Sequence, residues 1–180
     1  MRLAALLAAT LALAACQWDP PHQGARDSSV PPLEVTGYGD MRIGMTLADA
    51  RRVSGQALDA EALEPDVPGA CSEQAYTTTD GDTLYLMFEG DKLTRISASE
   101  NGTHTRTAQN VGVGSTDAEV RAAYQNLVEQ GSHYNAPPAH NLIAWAVPEQ
   151  SGILFEVNEH GVVTAVHAGS PSILYMEGCA

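Results

Sequence analysis

The chain is poor in positive charge, in aromatic rings and in cysteine, and it has no apolar run long enough to cross a bilayer. Nine lysines and arginines face 22 aspartates and glutamates, for a formal charge of −13. A surface of that sign repels phosphate backbones, which excludes nucleic acid as a partner class and leaves room for a basic one. The familiar signatures of catalysis are missing as well. There is no GxSxG elbow, no HExxH pair and no phosphate-binding loop, so the residues point away from an enzyme and imply no cofactor. Gly112-Val113-Gly114 lacks the third glycine of a dinucleotide loop and reads as a sharp turn. The acidic stretch Thr79 to Thr83, TDGDT, lacks the later ligands of a calcium loop and reads as a hairpin turn. Six histidines are present, with His133 and His140 grouped about Tyr134 and with His160 and His167 further on. No two have the i, i+4 spacing of a helical site, so no metal is expected. Asn101-Gly102-Thr103 fits a glycosylation sequon and reads as a loop.

What is present sets an address. Residues 3–15 are apolar except Thr10, and Arg2 precedes them. That run falls short of the roughly twenty residues a membrane-spanning helix needs, so 1–15 reads as a secretory signal peptide. It closes on Leu13-Ala14-Ala15-Cys16. This tetrapeptide resembles the bacterial lipobox, which implies that Cys16 becomes the N-terminus and carries lipid, palmitate among its acyl chains. Several chains together anchor stably where one does not. Gln17 in place of Asp favours the outer membrane in the proteobacterial sorting pattern. Residues 16–37 hold two proline pairs, Pro20-Pro21 and Pro31-Pro32, with polar residues between. They read as a lipid-anchored tether.

Two cysteines remain, Cys71 and Cys179. In an oxidising periplasm an even pair reads as a disulfide, and there is no CxxC to suggest metal or redox work. Closing a loop of about a hundred residues stabilises by roughly 4 kcal/mol in the chain-entropy picture.

Beyond Tyr38 the pattern is one of capped helices and alternating strands. Gly44-Met45-Thr46 opens one helix and Gly114-Ser115-Thr116 another, with Asp49 matching Glu119 and Arg51 matching Arg121. Thr116 with Glu119 is a capping box, and Thr46 with Asp49 is its shorter version. Strand-like runs follow each helix: Thr83 to Glu89 and Leu93 to Ala98 after the first, then His140 to Val147, Gly152 to Val157 and Val162 to Ala168 after the second. Phe88 aligns with Phe155 and Thr94 with Thr164. The expectation is an α+β chain of two tandem helix-then-antiparallel-strand repeats, 38–105 and 106–180. The helices would pack on one face of a curved antiparallel sheet.

The stretch RIGMTLADARRV, residues 42–53, resembles the helix-start signature of the small outer-membrane lipoproteins of the β-barrel assembly machinery. Tandem use of such a unit resembles the fold of the β-lactamase inhibitory proteins. GYGDMRIGMT with the ending YMEGCA is similar to a group of bacterial lipoproteins, some of which carry a lectin label. The likeness spans most of 38–180 and rests on short motifs.

Two strands add a functional hint. In Thr83–Glu89, Leu84, Leu86 and Phe88 alternate with Tyr85 and Met87; in His140–Val147, Ile143, Trp145 and Val147 alternate with Leu142, Ala144 and Ala146. Both faces of each are apolar, so the second face is either covered or a docking surface. Tyr85, Met87 and Trp145 are then the candidate binding residues. The reading is a non-enzymatic envelope lipoprotein that binds or scaffolds an envelope protein or glycan through its sheet face. A lectin-like module and an inhibitor of a periplasmic enzyme are the alternatives.

Overall fold

The computed structural model describes residues 29–58 and 70–179. The signal segment 1–15, Cys16 and most of the tether lie outside the described residues. Three two-residue strands come first: β1 (Leu33–Glu34), β2 (Gly37–Tyr38) and β3 (Met41–Arg42). Helix α1 (Leu47–Ser54) precedes β4 (Cys71–Thr77), β5 (Thr83–Glu89) and β6 (Lys92–Ala98). Helix α2 (Asp117–Ala123) precedes β7 (Val128–Gly131), β8 (His140–Val147), β9 (Ser151–Val157) and β10 (Val163–Gly169). A short 3-10 helix, Pro171–Leu174, follows. Strands β4 to β10 form one antiparallel sheet in the order β4-β5-β6-β10-β9-β8-β7, and β1–β3 form a separate small one.

The expected class is corrected by this architecture. The protein is mostly β, with 42% strand and 14% helix, and it is not built of tandem helix-then-strand repeats. The helices are too short to make a layer. Thr46 accepts from the Asp49 amide and starts α1, but Gly55, at φ 66°, ends it after eight residues. Thr116 and Glu119 form the full capping box of α2, which ends after seven residues where Tyr124 turns extended at φ −123°. What recurs is smaller than a repeat. Gly44 N donates to Leu93 O (2.7 Å) and Leu93 N to Met45 O (2.8 Å); Gly114 N donates to Val163 O (2.9 Å) and Val163 N to Ser115 O (2.8 Å). Each helix start is thereby stitched to the beginning of a strand.

One face of the large sheet carries the main core. Leu84, Leu86, Phe88, Ile96, Leu142, Phe155 and Val166 are fully or almost fully buried there. Their cover is composite: Leu47 and Ala50 of α1, Val120 of α2, and Leu33, Tyr38 and Met41 of the small sheet. Leu33, in the expected tether, is therefore core, and its amide donates to Arg106 O at 2.9 Å. Tyr124 swings back so that its ring lies 5.3 Å from that of Phe155. Burying a side chain of that size stabilises by roughly 1.5–3 kcal/mol.

The opposite face is covered too, by the C-terminal segment. Ile173 and Leu174 pack on Ile143, Leu154 and Trp145. Arg95, 3% exposed, reaches from the sheet to hold the segment: Nη1 donates to Ser172 O (3.1 Å) and Tyr175 O (2.7 Å), and Nη2 pairs with Glu73 Oε1 (2.7 Å). Gly152 and Gly169, paired across β9 and β10, leave no room for a side chain. A Cβ on Gly169 would lie 2.2 Å from Thr94 O, and one on Gly152 would lie 2.9 Å from both Ala144 O and the Trp145 ring. Cys71 and Cys179 then meet, with Sγ–Sγ 2.04 Å and Cα–Cα 5.3 Å, joining the chain end to the sheet edge.

Arg95→Met should therefore lower the unfolding free energy by about 2 kcal/mol, the scale for losing hydrogen bonds made by a buried charged group. Amide exchange at Ile173 and Tyr175 should speed up at the same time. Chemical denaturation with hydrogen-exchange mass spectrometry checks both.

Candidate functional site

The sheet faces account for the three expected binding residues differently. Met87 is 0% exposed, so it cannot meet a partner; the face on which it was placed is roofed at that point. Tyr85 is half-buried, in register with Ser97 across the β5–β6 pair. Trp145 is half-buried near the end of β8, and it lines a cavity.

That cavity has a volume of about 410 Å³. Its walls come from three parts of the chain. The β1 segment supplies Leu33 to Thr36, the end of α2 supplies Tyr124 and Gln125, and β8–β9 supply Trp145, Ala146 and Ile153. Gln109 completes it and accepts a hydrogen bond from the Tyr124 hydroxyl at 2.7 Å. Burial pushes the Tyr124 phenol up, so it stays protonated and donating. The lining combines Tyr124, Trp145 and small apolar residues with the exposed Glu34, Thr36, Gln109 and Gln125, and Trp145 also packs on the C-terminal cluster. Sequence reasoning singled out Trp145 and passed over Tyr124 and Gln109. The one available signal was an aromatic directly after a capped helix, AAYQ at 122–125.

A second polar constellation sits on the roofed face. His167 Nδ1 lies 2.8 Å from Ser97 Oγ, and its Nε2 lies 3.0 Å from Glu156 Oε1. The Nε2–H tautomer satisfies both contacts. The hydrogen bond from His167 holds the Glu156 carboxyl below its usual range, against the opposing pull of burial. The residue types are those of a nucleophilic triad. Here, however, the serine is 5% exposed and the three strands carrying the residues are neighbours in the sheet. The arrangement is a cross-strand clamp.

Histidines pair with acids elsewhere too. His140 Nε2 lies 3.0 Å from Asp117 Oδ1, and its Nδ1 lies 2.9 Å from Pro138 O. Arg121 bridges Asp117 (2.9 Å) and Glu129 (2.6 Å), which ties α2 to β7 and β8. Burial works against the charged imidazole, but the Pro138 carbonyl and the Asp117 carboxylate outweigh it and raise the His140 pKa above 6.5. Asp80, Asp82 and His104 bring one ligand atom each within 4.8 Å of one another, and none of them lines the Trp145 cavity. No helix among the described residues is long and apolar enough to cross a membrane.

No family model matches the chain, and no curated protein or solved structure is significantly similar to it.

The His140 cluster carries a pH dependence whose sign is fixed. A pKa raised on folding gives stability that is complete below the ordinary value of 6.5 and is lost as pH rises through the folded value. Unfolding free energies measured between pH 6 and 9 by urea titration should fall with pH in the parent chain. In His140→Gln that slope should be flatter.

Proposed function

We propose that the protein is a non-enzymatic binding module of the bacterial cell envelope, held at the membrane by lipid on Cys16, and that it seats a carbohydrate in the Trp145 cavity. The observation that supports the reading is an open cavity to whose walls both Tyr124 and Trp145 contribute, edged by amide, hydroxyl and carboxylate side chains. A sugar ring has a flat C–H face suited to aromatic planes. Its hydroxyls are matched by Gln109, Gln125, Thr36 and Glu34, which offer both donors and acceptors. The lectin label of the lipoproteins this sequence resembles points the same way. The lipobox-like LAAC ending at Cys16 supports the envelope address. The broader idea of a protein docked on the sheet face has lost Met87 and retains only the half-buried Tyr85 there.

The test is calorimetric titration of the full chain in detergent with envelope saccharides, namely peptidoglycan fragments and lipopolysaccharide core oligosaccharides. Saturable binding to at least one of them is expected, with Kd in the range of roughly 1 mM to 1 µM. Trp145→Ala should abolish it. Gln109→Ala, at an exposed position, should weaken it by about tenfold. The proposal fails if no saccharide binds, or if both variants bind as the parent does.

A further inference from the structure

Away from the Trp145 cavity, the hairpin turn between β4 and β5 meets the loop after β6, and two carboxylates are brought together there. The turn closes through Thr78 N to Asp82 O (2.8 Å) and Asp82 N to Thr78 Oγ1 (2.9 Å), with Gly81 at φ 89°. The Asp82 side chain is buried and aimed at the loop. Its Oδ2 accepts from Thr105 N (2.6 Å) and from the Thr105 hydroxyl (2.7 Å). Its Oδ1 accepts from His104 N (3.3 Å) and lies 2.8 Å from His104 Nδ1.

Asp80 is far less satisfied. Its Oδ1 has the Thr79 hydroxyl at 3.5 Å, while its Oδ2 is shielded from solvent and has no hydrogen-bond partner. Among the described residues, neither carboxylate forms a salt bridge with a lysine or arginine. A shielded carboxylate oxygen beside a second carboxylate is costly unless a cation lies between them.

An independent group faces the same place. Tyr38, from the small sheet, is only 4% exposed, and its hydroxyl has no hydrogen-bond partner. Burial and the charges of Asp80 and Asp82, with Tyr76 beside it, push its phenol up to about 12. The hydroxyl is sheltered, next to two carboxylates and the Thr105 hydroxyl.

We propose that Asp80, Asp82 and His104 bind a divalent cation of the zinc type, with the Tyr38 hydroxyl hydrogen-bonded to a water in its coordination shell. The ligand atoms lie within 4.8 Å of one another. The 2.8 Å hydrogen bond between His104 Nδ1 and Asp82 Oδ1 would open to about 3.4 Å, the ligand separation of a tetrahedral ion about 2.0–2.2 Å from each. An imidazole among carboxylates selects zinc over calcium, which prefers oxygen ligands alone. His104 is 67% exposed at its side chain, which gives the ion a way in. The bound ion would cross-link the hairpin turn to the loop after β6 and neutralise the repulsion between the carboxylates. The acidic turn TDGDT would then supply two ligands of a site whose third comes from a histidine 22 residues beyond Asp82.

The experiment is equilibrium dialysis and calorimetry of the full chain in detergent with zinc ion, and in parallel with calcium ion. One zinc per chain is expected, with at least tenfold weaker calcium binding. Asp80→Asn and His104→Ala should each weaken zinc binding at least tenfold. Asp80 makes one long hydrogen bond to its neighbour and His104 is largely exposed, so neither variant should threaten folding; circular dichroism confirms it. Tyr38→Phe should bind zinc a few-fold more weakly. The site is refuted if zinc does not bind saturably, if calcium binds as tightly, or if the Asp80 and His104 variants bind zinc like the parent. Sugar binding in the Trp145 cavity is read separately, so either result stands without the other.

Discussion

The fold is governed by strands that are apolar on both sides. In β5, Leu84, Leu86 and Phe88 share the protein with Met87, and all four are fully buried. In β8, Leu142 and Ile143 are adjacent in sequence, point to opposite faces and are both fully buried. A sheet of this kind cannot leave one side to water, so the chain must provide two covers. The first is assembled from pieces: two short helices, three two-residue strands and the loop that holds Val111 and Val113. The second is the short 3-10 segment at the end of the chain, which puts Ile173 on Ile143 and Leu154.

The second cover determines what is left for function. Four residues of 3-10 helix bring little apolar area, so polar fastening has to hold them. Arg95 supplies it from inside the sheet through the Ser172 and Tyr175 carbonyls, and Glu73 balances its charge. The Cys71–Cys179 link secures the chain just beyond. With the centre of that face closed, the open apolar space lies at the edge of the first cover, where β8 and β9 meet the β1 segment and the end of α2. Trp145 is shared between the two regions. It packs against the C-terminal cluster and lines the cavity. Occupancy of the cavity and seating of the C-terminal segment therefore bear on one side chain.

Some of this was legible in the sequence. The runs Thr83–Glu89 and His140–Val147 become strands with those bounds, because a short, largely apolar run between turn signals marks a buried strand. Thr46 and Thr116 cap helices, because a threonine followed three residues later by an acid is a strong local signal. The helices were over-read as a layer, since a good start says nothing about length. Gly55 and the extended Tyr124 end them within about two turns. The strands β1–β3 could not be read, because two residues carry no period. The second cover was hidden as well: PSIL has no pattern of its own, and its anchor Arg95 looks like a solvated charge in a strand. Tyr124 and Trp145 stand 21 positions apart in the chain and come to one cavity only through the β8–β9 pairing and the end of α2.

Met87 is the reporter that tests this account most directly. It is fully buried, on the face that the C-terminal segment covers. Peroxide oxidation of the intact chain, followed residue by residue by mass spectrometry, should leave Met87 protected while the partly exposed Met45 and Met176 become sulfoxides. In a chain ending at Gly169, Met87 should oxidise at a rate approaching that of Met45. Rapid oxidation of Met87 in the intact chain, or undiminished protection after the truncation, would contradict a sheet that depends on two covers.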